Sequence, residues 1–375
     1  MSTDFDAIVV GGGVAGCVVA QRLRARHDRV LVIEAGRAAA HEPVPPVDIF
    51  AALPGHVHEG VLARRTPAQG LTPYLSGAGL GGGSLVNGLL VVGDPVGVPV
   101  PAASADEGCT TLERRILPGS VSWSSAVFLG PGRPRLADLT RGCSVLHARV
   151  GSASPRGAVL TDGGSVSASE VVVCAGALES PRLLRRSGFE GHGVGTRLRD
   201  HASVCFTVPG TFGFSASGRA STLVGRSASG DLMYTSFAGE PGLLLVTLLR
   251  CRSQGWLEDG HAELNLLTDL HDRTTLRAGV RVLLACAADL APVGPDGRNG
   301  RDLLAATDAD LDDWMLRNEG GTYHATGTCA IGAALLGDAT VRGAAGLRVI
   351  DASALAESPR GTPMAPVLRL AAALA

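Results

Sequence analysis

The stretch FDAIVVGGGVAGCVVAQRLRARHDRVLVIEAG, residues 5–36, constrains the fold more than any other part of the chain. Ala7–Val10 is a continuous apolar run, the mark of a strand buried on both faces. A glycine turn follows, and Val14 to Arg26 then has helical spacing. Arg22, Arg24 and Arg26 fall late in that helix, where cations suit its dipole. Val30–Ile33 reads as a second buried strand, completing a β-α-β unit of about thirty residues. The turn is Gly11-x-Gly13-x-x-Gly16. Gly11 permits the tight turn, Gly13 lets a pyrophosphate approach the backbone, and Gly16 lets helix and strand pack closely. The helix N-terminus then faces the phosphates. Glu34 ends the second strand, placed to bond ribose hydroxyls. The unit predicts a dinucleotide site and does not by itself separate FAD from NAD.

The rest of the composition narrows the setting. A chain of 375 residues suits two domains, and 45% hydrophobic content supports a sizeable core. Fifty-one glycines imply many tight turns and close backbone approaches. A net charge of −2 gives no electrostatic reason to expect nucleic acid or an anionic membrane. No lysine occurs, and nothing in the spacing of the arginines suggests phosphate recognition. The eight cysteines form no C-x-x-C and no framework spacing, which predicts free thiols and a reducing compartment. The N-terminus carries acids rather than a basic n-region, and no apolar run is long enough to span a bilayer. A soluble, cytoplasmic protein without a bound metal is the expectation.

Further along, residues 37–78 read as loops with short pieces. A second glycine block, GLGGGSLVNG (Gly79–Gly88), is either a surface loop or backbone laid against a flat or charged cofactor. Residues 93–120 look irregular. Val171–Cys174 reads as a strand and Ala177–Arg186 as a helix stopped by Gly188. Residues 203–285 suggest several antiparallel strands with a helix near RTTLRAGVRVLLACA. Residues 301–318 suggest one acidic amphipathic helix, Leu347–Ser353 a short strand, and the end of the chain an apolar helix from about Pro363.

The loop GGTYHATGTCAIG, Gly320–Gly332, holds His324 and Cys329. A metal site would need further ligands at suitable spacing, and none is near. A thiol nucleophile would need Cys329 beside a base. A structural histidine and a general base near a flavin are the other two readings, and spacing alone favours the structural one.

Together these segments resemble the glucose-methanol-choline (GMC) family of FAD-dependent oxidoreductases. The residues 5–36 unit resembles its FAD signature, and GLGGGSLVNG its second glycine block. EVVVCAGALESPRLLRRSGF (Glu170–Phe189) and VGTRLRDH (Val194–His201) resemble its centre. YHATGTCAIG and GLRVIDASALAESPRGTPMAPV resemble its C-terminal part. The blocks occur in family order.

The resemblance implies an α/β (α+β overall) fold. A discontinuous, Rossmann-like FAD-binding domain (1–92, 130–202, 321–375) would carry a smaller, mostly antiparallel-sheet substrate domain (93–129, 203–320). It implies that Gly11, Gly13, Gly16 and Glu34 hold the ADP half of FAD. Gly82, Gly83, Ser84 and Asn87 would line the pyrophosphate and isoalloxazine. Val145 would meet the adenine, Asp351 and Ala352 the phosphate or ribitol, and Pro363 would also lie on the cofactor. Val86 stands where some members carry a flavin-linking His, so non-covalent FAD is expected. His324 matches the base that takes the alcohol proton as hydride leaves the carbon for flavin N5. Thr362 stands near the usual companion His or Asn. The family implies a small-molecule alcohol substrate and an external electron acceptor. A lyase on the same scaffold, and a catalytically weak or partner-dependent flavoprotein, are the alternatives. The chain is shorter than typical members, around 93–120 and in the substrate domain.

Overall fold

The computed structural model describes residues 4–36, 57–86, 90–92, 126–128, 136–210, 221–227, 229–237 and 240–375. The irregular segment expected at 93–120 and Asn87 of the second glycine block lie outside them. The first strands are β1 (Phe5–Val10), β2 (Val30–Glu34), β3 (Val57–Arg64), β4 (Thr72–Gly77), β5 (Leu90–Val92) and β6 (Ala126–Phe128). Then come β7 (Ser144–His147), β8 (Val150–Ser154), β9 (Gly157–Leu160), β10 (Ser165–Val173) and β11 (Ser203–Val208). The last are β12 (Ser221–Arg226), β13 (Leu232–Phe237), β14 (Gly242–Leu248), β15 (Trp256–Leu257), β16 (His261–Glu263) and β17 (Leu347–Val349). The helices are α1 (Val14–Arg24), α2 (Gly176–Arg186), α3 (Leu270–Cys286), α4 (Gly300–Ala305), α5 (Asp308–Asn318) and α6 (Met364–Leu374).

The apolar runs of β1 and β2 become central strands. A seven-stranded sheet runs β7-β2-β1-β10-β9-β8, with β17 also paired to β10. β7, β2, β1, β10 and β17 are parallel. Ile8 sits between Leu31 and Val171, and all three are buried. β10 starts earlier than its apolar run suggests. Its first residues, Ser165–Ser167, pair antiparallel with β9 before Ala168–Val173 join β1. α1 packs on this sheet through Ala15, Val18, Val19 and Leu23, and the C-terminal α6 packs beside it. The carboxyl ends of the parallel strands therefore converge on one edge. Ligands of open α/β sheets bind at that edge.

The second core lies under a four-stranded antiparallel sheet, β11-β14-β13-β12. α3 lies across β13 and β14, and Gly279 permits the close approach. A side chain there would meet Leu232 Cδ1 at 2.8 Å and Val246 Cγ2 at 2.9 Å. Asp269 caps α3, its carboxylate accepting from the N–H groups of His271 and Asp272. The single helix expected over 301–318 is two helices. The Thr307 hydroxyl accepts from Asp310 N–H and starts α5, so the chain breaks after Ala305. Residues 57–77, expected as loop pieces, form the antiparallel pair β3–β4. β3 also pairs with β16, so Val61, Ala63 and Tyr74 join the second core. This third small sheet brings Tyr74 to the border between the two cores.

Candidate active site

The first part of the site is built almost entirely from backbone. Gly11 leaves β1 at φ +98°, with its N–H donating to Ile33 O at 2.7 Å. A side chain at Gly11 would sit 2.5 Å from Cys174 O, and one at Gly16 would collide with Gly11 O. The turn thus lies flat against the end of β10, and α1 begins directly above it. No side chain caps the N-terminus of α1, and no acid occupies its first turn. Its unpaired N–H groups face the sheet edge with the positive end of the helix dipole.

The second glycine block closes over this turn. Gly81 N–H donates to Gly12 O at 2.8 Å, and a Cβ on Gly82 would lie 2.8 Å from Gly13 Cα. Gly83 faces open space. Glu34 ties the segments together. One of its oxygens accepts from Gly12 N–H at 2.8 Å, the other from Gly36 N–H at 2.7 Å and Gly79 N–H at 3.2 Å. A carboxylate has about four acceptor positions, so one stays available to a hydroxyl. Val145 lies on β7, beside β2, and is 37% exposed, so a flat ring can rest on it. Asp351 is buried. It accepts from Gly176 N–H (2.9 Å), Ser180 Oγ (2.5 Å), Ser353 N–H (2.8 Å) and Ser353 Oγ (2.5 Å). It pins α2 to the turn after β17, and Ala352 O next to it accepts from Gly327 N–H. Pro363 precedes the first turn of α6, and Thr362 before it is buried.

The second part is built from side chains. His324 sits in the loop after α5, just past Tyr323. Tyr323 holds φ +59°, a conformation that costs a bulky residue of order 1 kcal/mol and persists only where neighbours enforce it. Asp200 supplies the enforcement. One of its oxygens accepts from Thr322 Oγ1 (3.0 Å) and from His324 N–H (2.8 Å), straddling Tyr323. The same oxygen accepts from His201 N–H at 2.7 Å, and the other from Tyr74 Oη at 2.8 Å. Tyr74 Oη in turn accepts from Ala325 N–H at 3.0 Å. Four donors and no acceptor fit an ionised carboxylate, although burial pushes the Asp200 pKa up against them. The strained turn is therefore clamped on both sides.

The imidazole of His324 meets that of His201. Their Nδ1 atoms are 2.9 Å apart and the rings nearly perpendicular, at 87°. His201 Nε2 lies 2.8 Å from Pro359 O. Burial lowers the His201 pKa to about 4, against the pull of the Pro359 and Leu249 carbonyls. Burial, then the neighbouring ring, hold His324 well below its ordinary value. Both rings are neutral at neutral pH. Cys329 is fully buried, and burial pushes its thiol far up, the opposite of an activated nucleophile. Among the described residues no group of three His, Cys, Asp or Glu side chains could hold a metal. All seven described cysteines are free.

Two family models described as GMC oxidoreductase match residues 153–203 and 254–371, and one described as an NAD(P)-binding Rossmann-like domain matches 9–41. Between them they fall on the glycine turn, the β10–α2 block with Asp200 and His201, and the His324 loop. The chain belongs to the GMC oxidoreductase family. It is 27% identical to the 5-(hydroxymethyl)furfural oxidase of Methylovorus sp. strain MP688, across 100% of this chain and 98% of the relative. A GMC-type oxidoreductase of Rhodococcus erythropolis is 26% identical over 57% of this chain and 50% of its own. The fold is that of pyridoxine 4-oxidase from Mesorbium loti, with a TM-score of 0.80 over 99% of this chain and 98% of that one, at 20% identity. A formate oxidase variant of Aspergillus oryzae RIB40, from work on modification of its FAD, has a TM-score of 0.79 over 100% and 98% of the two chains, at 16% identity.

This GMC oxidoreductase is short. Its alignment to the furfural oxidase runs over 534 positions, so 159 of them (534 − 375) have no residue here. The structure gathers the glycine-turn residues, Glu34, Gly82 and Gly83 at one edge, as their order suggests. The residues that sequence reasoning passed over are Tyr74, Asp200 and His201. The Asp-His pair closes the VGTRLRDH block and so was visible as a motif. Its role was not, because its partners lie about 120 residues on. Among the described residues, no helix is long and apolar enough to cross a membrane.

Proposed function

We propose that this chain binds FAD non-covalently across the two glycine segments and oxidises an alcohol, with His324 as the general base. The observation that carries the cofactor reading is the contact of Gly82 with Gly13. It places two side-chain-free segments, about seventy residues apart in sequence, against the uncapped start of α1. Such a cradle suits a pyrophosphate with a flat ring beyond it. Gly11, Gly13 and Gly16 shape the turn, while Glu34 and Val145 serve the adenosine end. Gly82, Gly83 and Ser84 serve the middle, with Asp351, Ala352 and Pro363 on the far wall. Asn87 joins this set on the resemblance alone. Val86 offers no nucleophile for a flavin link.

When bound, FAD supplies the acceptor for a hydride from the carbinol carbon. The chain's own residues handle the proton. His324, neutral at working pH, accepts it from the substrate hydroxyl. Asp200 holds the His324 backbone and thereby aims the ring. Thr362 hydrogen-bonds the substrate hydroxyl and orients it, and it is too weak a base to compete with His324. The likeness to the furfural oxidase makes a primary alcohol on a flat ring the first substrate class to try.

The test uses the purified protein with FAD added. Retained visible flavin absorbance, released into solution by acid, is expected. So is anaerobic bleaching by a hydroxymethyl-furan or benzylic alcohol. A protein that retains no flavin overturns the reading. Bleaching by a cyanohydrin-type lyase substrate would not be expected, since that chemistry leaves the flavin oxidised.

A further inference from the structure

The pair His201–His324 has a feature that a lone base does not need. His201 is wholly buried; its Nε2 lies at hydrogen-bond distance from Pro359 O and its Nδ1 at hydrogen-bond distance from His324 Nδ1, and the Leu249 carbonyl also acts on the ring. Its Nε2 faces a carbonyl, Pro359 O at 2.8 Å, which can only accept. Nε2 must therefore carry a hydrogen. A neutral imidazole has one such hydrogen, so His201 Nδ1 is a bare lone pair. Facing it at 2.9 Å is His324 Nδ1. Two lone pairs at that distance would repel, so His324 Nδ1 is the donor. His324, also neutral, then has no hydrogen left for Nε2.

We propose that His201 is a positioning residue that fixes His324 as the Nδ1–H tautomer and so leaves its Nε2 lone pair free to accept a proton. The proposal rests on the reading of His324 as the base. One backbone carbonyl acts through two rings: Pro359 O sets His201, and His201 sets His324. With Nε2 protonated the only lone pair of the neutral ring would be on Nδ1, facing His201, so the wrong tautomer would have no base at Nε2. After His324 takes the proton at Nε2, its Nδ1–H still donates to His201 Nδ1. The contact therefore persists in the imidazolium, and no bond to His201 forms or breaks. A neutral acceptor also avoids burying a second charge beside Asp200.

Two further groups hold this geometry. Asp200 accepts from the backbone N–H of both histidines, at 2.7 Å and 2.8 Å, and so ties the two rings to one carboxylate oxygen. The Pro359 carbonyl comes from the segment that leads to Thr362 and α6, so the C-terminal part of the chain reports its docking to the base.

The test combines imidazole 15N spectra of the 15N-histidine-labelled protein with anaerobic flavin reduction. It uses His201→Gln and His201→Asn. Glutamine places a donor near the His201 Nε2 position but leaves no acceptor near Nδ1, whereas asparagine can place a carbonyl acceptor there. In wild type near pH 7.5, with or without FAD, His324 should show a protonated Nδ1 and a bare Nε2. His201→Gln should lose that preference. Its flavin reduction should slow by about 10-fold or more while KM moves less than about twofold. His201→Asn should restore the wild-type spectrum and most of the rate. A protonated His324 Nε2 in wild type overturns the proposal. So does an unchanged His324 spectrum in His201→Gln. Should His324→Ala reduce flavin as fast as wild type, the base reading fails, and the spectra still decide the tautomer.

Discussion

The glycine cradle and the histidine corner, which we propose serve one site, are built on opposite plans. The cradle is contiguous in two short segments and made of backbone. Its glycines matter for what they lack, and Glu34 spends its carboxylate on three backbone N–H groups. The corner is made of side chains from three distant places: Tyr74 on β4, Asp200 and His201 before β11, and Thr322–Ala325 near the end. It stores strain at Tyr323 and buries polar groups around it. A pocket for a large, invariant cofactor needs shape, which backbone gives cheaply. A base needs one proton in one place, which only a network of paired side chains can enforce.

Substitutions can separate the two plans. The largest effect is expected in the cradle at Gly16→Val, where the new side chain meets Gly11 backbone. Chemical denaturation should show a loss of about 3 kcal/mol or more, or no folded protein. Asp200→Ala comes next. It strips a buried acceptor from four donors and releases the strained turn. A loss of about 3 kcal/mol is expected in the same assay, with flavin binding by the cradle retained in the protein that remains folded. If Asp200→Ala abolished flavin binding while remaining folded, the two halves would not be separable.

Glu319→Gln should be milder and visible mainly through pH. Burial raises the Glu319 pKa to about 8 from 4.5, against the N–H groups of Ser203 and Gly321 that favour its charge. The folded state thus keeps a proton that the unfolded state releases, and stability falls as pH rises between about 4.5 and 8. His201, lowered to about 4, works in the other direction: the unfolded state binds the extra proton, so stability falls as pH drops from 6.5 towards 4. His201, and His324 with it, oppose Glu319 below 6.5; above 6.5 the histidine contribution to the pH dependence is gone while that of Glu319 persists to about 8. Wild type should lose stability across that upper window and Glu319→Gln should stay level. The smallest stability effect is expected at Gly83→Ala, which meets nothing and should shift unfolding by less than about 0.5 kcal/mol. On the proposed reading Gly83 lines the cofactor, so its added methyl group should lower FAD affinity. Unchanged affinity would move the cofactor off Gly83.

The contrast also explains what could be read before the fold was known. The β-α-β unit, the glycine turn, the strand–helix at 171–186 and the terminal helix are local patterns, and each falls where its pattern puts it. β3 and β4 escaped because Pro and Gly punctuate residues 57–77, and their apolar side chains serve a core supplied mostly by residues 198–315. The break between α4 and α5 turned on one capping hydroxyl, Thr307, inside an otherwise continuous amphipathic pattern. For His324, the proposed base role comes only from the family resemblance. Its partner His201, 123 residues earlier, carries no local mark of that contact. Contacts of that kind are products of topology, here of the segments around Arg199 and Thr326 pairing backbone to backbone two residues from each ring.

On the proposed mechanism His324 takes the substrate proton while the cradle holds the flavin. The direct measurement is the single-turnover rate of anaerobic flavin reduction by an alcohol that bleaches the wild type, compared with His324→Ala at matched flavin occupancy. Equal FAD content and a rate lower by about 100- to 10,000-fold are expected in the variant. Flavin reduction at the wild-type rate in His324→Ala would contradict that mechanism.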